Sequence, residues 1–130
     1  MQALTTNQRL ALINRLHQLV KDKKIIWDPE EDSDYEFFAT LEKFTYTLTC
    51  RDKDDSYPFS LEVYGREAQR TFDLINTEDE SLPELMRTEL RDLYMTVKKV
   101  TLAYENLTQQ LFSELGLEAP PRVEDEKPPL

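Results

Sequence analysis

His17 and Cys50 are each the only residue of their type in the chain, so a Ser-His-Asp or Cys-His arrangement would have to use His17. A Ser-His-Asp or Cys-His arrangement needs several groups converging on one point. His17 falls beside an apolar helical stripe, with no nucleophile or carboxylate next to it, and reads as a boundary or surface histidine. Cys50 continues the alternation of Phe44, Tyr46 and Leu48 and reads as a buried, inert thiol. A single cysteine excludes an internal disulfide and a Cys-based zinc cluster, and it suits a reducing compartment.

The acidic segments invite a calcium reading, because Asp52, Asp54 and Asp55 lie close together. An EF-hand loop needs Gly at its sixth position and Glu at its twelfth. Counted from Asp52 those places hold Tyr57 and Val63; counted from Asp28 they hold Ser33 and Ala39. Both loops fail, and solvated turns are the expectation. Phosphate cradles need glycines, and the chain has only Gly65 and Gly116, so neither a P-loop nor a dinucleotide fingerprint is present. The sequence therefore predicts no catalytic residue, no metal site and no cofactor.

The side chains left to carry function are apolar, and they lie on the elements that frame the fold. Thr5 and Gln8 fit a capping box, and Leu12, Ile13, Leu16, Leu19 and Val20 follow at helical spacing. A first helix is predicted over about residues 6–22, with Arg9 among its solvent-facing residues and Lys21–Lys24 at its negative end. Ile25-Ile26-Trp27 is a short apolar run that Pro29 stops from becoming a central strand. Residues 35–41 suit either a strand, with Phe38 and Thr40 on one side, or a helical turn.

From Phe44 the pattern has period two. Phe44, Tyr46, Leu48 and Cys50 alternate with Thr45, Thr47, Thr49 and Arg51, and Phe59, Leu61 and Val63 alternate with Ser60, Glu62 and Tyr64. Gly65-Arg66 predicts a tight hairpin with Gly at positive φ. A third strand follows, with Ala68, Arg70, Phe72 and Leu74 as its alternation up to Ile75. This predicts an antiparallel meander of three to four strands, with Thr45, Thr47, Thr49, Ser60, Glu62, Tyr64, Gln69 and Thr71 on a wet far face.

Ser81-Leu82-Pro83-Glu84 fits a second capping box. Met86, Leu90, Leu93, Val97, Val100, Tyr104, Leu107 and Leu111 then step by four and three, a heptad pattern, until Gly116 stops the helix. A helix over residues 82–115 would be roughly 50 Å long, whereas a seven-residue strand spans about 23 Å. Either the helix bends or breaks, or its second half projects beyond the sheet. Tyr104, Leu107, Leu111 and Phe112 would then need cover from the first helix or from a second copy. With Trp27, whose acidic and aromatic neighbours suit an interface anchor or a core plug, these four are the candidate interface residues.

The 130 residues are 39% hydrophobic and 32% charged, enough apolar content for one core. The expected organisation is a single α+β domain over residues 1–116 and a disordered Pro-rich acidic tail over 117–130, which holds four of the seven prolines. The net charge of −10 repels a phosphate backbone, so no nucleic-acid partner is expected. No apolar run reaches the roughly 18 residues of a membrane helix, and the N-terminus lacks a signal-peptide pattern. A cytoplasmic protein without a membrane partner is the expectation.

Leu16 and Leu19, Lys24-Ile25-Ile26-Trp27, Phe38, Leu93-Tyr94 and the closing Leu111–Leu115 occur in an order that resembles small uncharacterised bacterial helix–sheet–helix proteins, some of them cyanobacterial. The resemblance covers most of the chain and implies the fold. Those proteins have no established activity, so it assigns no residue a role.

The resulting functional expectation is a non-enzymatic protein-binding module, an adaptor, inhibitor or regulator, with a homodimer through the last helix as one way to cover its apolar surplus. Two alternatives come from other classes. Acidic dimeric secretion-type chaperones share the size and charge, although they usually insert a helix between their strands. An acidic DNA mimic rests on charge alone.

Overall fold

The computed structural model describes residues 3–118. Helix α1 (Thr6–Lys21) is followed by strands β1 (Asp28–Pro29), β2 (Glu36–Thr40), β3 (Phe44–Cys50), β4 (Phe59–Gly65) and β5 (Arg70–Asn76), and then by helix α2 (Glu84–Glu114). The strands form one antiparallel sheet in chain order, β1-β2-β3-β4-β5. The predicted α+β meander is present, with five strands in place of three or four. The extra pairings are β2, which resolves residues 35–41 as strand, and the two-residue β1. Pro29 sits at the sheet edge, where its missing N–H removes no central ladder bond.

Both helices lie on one face. Ile13, Leu16 and Val20 of α1 and Met86, Leu90, Leu93, Tyr94 and Val97 of α2 form a single buried cluster with Phe37, Leu48, Phe59, Leu61 and Ile75 of the sheet. Tyr94 sits at its centre, 4.9 Å from the Phe59 ring and 5.8 Å from Phe37. His17 of α1 meets Thr96 of α2, and Val20 shares a cleft with Val97 and Val100, so the helices run side by side in the same sense.

The caps divide the two helices. Thr5 and Gln8 form the predicted capping box, with reciprocal bonds of 3.1 and 2.9 Å. The second box does not form: α2 begins at Glu84 with Pro83 as its N-cap and no side-chain cap bond. Ser81 is held elsewhere, because its hydroxyl and its backbone N–H both donate to Asp79 Oδ1. At the other end Gly116 stops the helix as predicted. It takes φ +72°, and Leu117 N–H donates to the Phe112 carbonyl at 2.8 Å, closing the last turn in the Schellman manner.

The third predicted strand is present with its faces reversed. Asp73 and Ile75 point to the helices, opposite Val63 and Leu61, whereas Leu74 lies across from Glu62 on the far face. A bulge between Val63 and Tyr64 leaves Phe72 as the extra residue, and its ring meets Phe44 at 6.0 Å. The connection is also longer than predicted. Gly65 remains in β4, residues 66–69 make the turn, and Gln69, not Gly65, takes positive φ. Gln69 thus leaves the far face, which consists of three cross-strand rows: Glu36, Thr49, Ser60 and Asn76; Phe38, Thr47, Glu62 and Leu74; Thr40, Thr45, Tyr64 and Thr71.

Arg9, expected at the surface, is buried. Its guanidinium donates from Nε and Nη2 to the two oxygens of Asp73, each at 2.9 Å, and from Nη2 to the Leu74 carbonyl. This pair explains the reversal of β5, because a buried charge needs a paired opposite charge and Asp73 inward places Phe72 and Leu74 outward.

Candidate protein-docking surface

Helix α2 is one unbroken helix of 31 residues, about 46 Å long. Its apolar seam changes environment at Thr101. Upstream, Met86, Leu90, Leu93 and Val97 are fully buried. Downstream, the same seam continues into solvent: Tyr104 is 39% exposed, Leu107 62%, Leu111 53% and Leu115 62%, with Phe112 half-buried beside them. The helix therefore projects and does not bend back. Thr101 marks the exit, buried and donating from Oγ1 to the Trp27 carbonyl at 3.5 Å.

A narrow cleft sits at that exit, between the end of α1, the segment Ile25–Trp27, and Val100 and Tyr104 of α2. Trp27 lies in its wall at 4% exposure, and Ile26 stands out at 55%. Trp27 Nε1–H is buried and has no acceptor among the described residues. Leaving such a donor unmatched costs about 1–3 kcal/mol, which an acceptor brought to the cleft would offset.

The structure thus places the candidate residues in two settings. Tyr104, Leu107, Leu111 and Phe112 share the projecting stretch, and Trp27 forms the floor at its base. Leu115 and Ile26 extend the surface and were not singled out from sequence. Leu115 follows Leu111 by four residues, a helical step masked by the stop at Gly116, while Ile26 looks like an ordinary member of an apolar run. The expected tail bears on residues of which 119–130 lie outside those described.

The residues suited to chemistry are engaged in packing. His17 hydrogen-bonds Thr96 across the helix pair at 2.9 Å. Its pKa is lowered, first by burial and then by Lys21, against the pull of Asp92 and Glu89. The Cys50 thiol donates to the Ser56 carbonyl at 3.2 Å. Asp54 accepts from Ser56 N–H, and Asp55 accepts from Lys98 through both oxygens and from the Tyr94 hydroxyl. Lys98 Nζ also sits 4.3 Å over the Tyr35 ring. The acidic turn after β3 is therefore tied to α2. Among the described residues no group of three or more His, Cys, Asp or Glu side chains is arranged to hold a metal ion.

A second hollow of about 420 Å³ opens at the start of α2, between Tyr57-Pro58, Thr77 and Arg87. It is lined also by Glu78 and Glu84; Arg87 Nη2 donates to the Asp79 carbonyl, and Glu78 is ion-paired to Arg51. Neither His17 nor Cys50 lines it.

No protein-family model matches the chain, and no curated protein or solved structure matches it. Among the described residues no helix is long and apolar enough to cross a membrane.

Proposed function

We propose that this chain is a non-enzymatic protein-binding module, an adaptor, inhibitor or regulator of the bacterial cytoplasm, and that its contact surface is the projecting half of α2. The observation that carries this reading is the continuity of one apolar seam, buried up to Val97 and exposed from Tyr104 to Leu115. Isolated helices of about 12–15 residues are marginal in water, so a stretch of this length and composition is suited to being covered. The engagement of His17 and Cys50 in packing contacts favours binding over catalysis.

The test is capture of an assembly by the tagged chain, with light scattering to give its stoichiometry, repeated with Leu107→Glu. The Leu107 side chain lies largely in solvent in the isolated chain, so the variant should keep its unfolding midpoint. Loss of assembly with an intact fold supports the reading. Assembly that is unaffected by Leu107→Glu and Leu111→Glu removes it.

A further inference from the structure

The occupant of this surface can be argued from its charge and shape. Between Val100 and Ser113 the only charged side chain is Glu105, although the whole chain carries −10. On a seam running through Val97, Val100, Tyr104, Leu107 and Leu111, the flanking positions within the helix are Thr101 and Thr108 on one side and Ala103 and Gln110 on the other. In paired helices, charges at those flanks set partner choice and orientation. Here none of the four is charged. A basic partner finds no row of acids to pair with, and a like-charged copy meets only Glu105 and Glu114 as acids between Val100 and the helix end.

We infer that the projecting halves of two copies pair antiparallel, giving a homodimer; this rests on the reading of that half-helix as a docking surface. Leu107 of each copy aligns with Leu111 of the other, and the acidic bodies stand at opposite ends of the paired segment. In that alignment Leu117 of the second copy reaches the level of Thr101, beside exposed Ile26 and the cleft walled by Trp27. Antiparallel pairing is favoured over parallel because it keeps the two bodies apart and supplies both exit clefts with a helix end. The contact buries on the order of 500 Å² per copy, at the lower edge of specific interfaces, so the dimer is reversible.

The experiment is sedimentation equilibrium of the full chain from about 1 to about 200 µM, where a dissociation constant in the micromolar range is read directly. The wild type shifts from monomer to dimer across that range, and Leu107→Glu/Leu111→Glu stays monomeric. Orientation is read by mixing a Leu107→Cys chain with a Leu111→Cys chain. Antiparallel pairing cross-links the mixture faster than either chain alone; faster self-cross-linking of each chain overturns the alignment. Should the double Glu variant unfold, the cross-linking comparison still decides. A wild type that stays monomeric throughout overturns the inference. If that monomer captures a foreign protein through Leu107, the docking surface survives without self-pairing; if no assembly of any kind depends on Leu107, both readings fall.

Discussion

Arg9 and Asp73, separated by 64 residues in sequence, meet in a doubly hydrogen-bonded ion pair with both side chains almost wholly buried. The pair clamps the first turns of α1 to edge strand β5 and fixes which face of that strand turns inward. Burying two charges costs desolvation, so such a pair adds little net stability compared with apolar replacements, yet breaking it is costly. Arg9→Ala should therefore lower unfolding stability by about 3–5 kcal/mol. Arg9→Met/Asp73→Leu should recover most of that loss. Urea titrations of Arg9→Met, Asp73→Leu and the double variant measure the coupling, and additive losses would show that the pair does not act as a unit.

The two halves of α2 should respond oppositely to the same substitution. Leu90→Ala opens a cavity in the core and costs about 2–5 kcal/mol. Leu107→Ala, made on the same seam, stays within about 0.5 kcal/mol in the monomer. Chemical denaturation at low protein concentration checks this. A large cost at Leu107 under those conditions would mean that the distal half is covered within one copy.

Tyr94 gives the fold an alkaline limit. Its phenol pKa is raised far above the ordinary value, first by burial and then by its hydrogen bond to Asp55. A raised folded-state value means that the stability held by neutral Tyr94 is fully present below the unfolded value of about 10 and is lost as pH rises beyond it. Absorbance at the phenolate band should show one tyrosine ionising only with global unfolding. Tyr94→Phe should remove that coupling.

Glu36 works in the opposite sense to a stabilising carboxylate. Its pKa is raised, first by burial and then by Glu30 and Glu62, so its ionised form is disfavoured in the folded state. The contribution is favourable at pH below the unfolded value of about 4.3 and fades as pH rises through the folded value. Glu36→Gln should raise the thermal midpoint at pH 7, with the difference vanishing toward pH 4. A stability loss on that substitution at pH 7 would refute the sign.

The fold was legible wherever the chain decides locally. The Thr5–Gln8 cap, the alternation through Phe44–Cys50 and Phe59–Val63, and the stop at Gly116 rest on neighbours within a few residues, and each is present. What escaped depends on distant partners. Phe72 and Leu74 look like an inward alternation until Arg9 calls Asp73 to the inner face, and Ser81 looks like a cap until Asp79 takes its hydroxyl. The candidate surface was legible as a mismatch of lengths: the helix outruns the strands, and that arithmetic holds whatever covers the excess. Its base was not legible, because the exposure of Ile26 and the orphaned Trp27 N–H arise from how α2 leaves the body.

The bulge between Val63 and Tyr64 has a consequence beyond the register of β5. An open sheet edge is a template for adding strands from other molecules, and inward-pointing charges, bulges and edge prolines blunt it. Here the β5 edge carries the bulge and inward Asp73, while the opposite edge ends in two-residue β1 with Pro29. Neither margin offers a long, regular row of backbone groups for runaway strand exchange. Growth by sheet extension is discouraged at both ends, so an assembly built through the helices of this chain would stay finite in size.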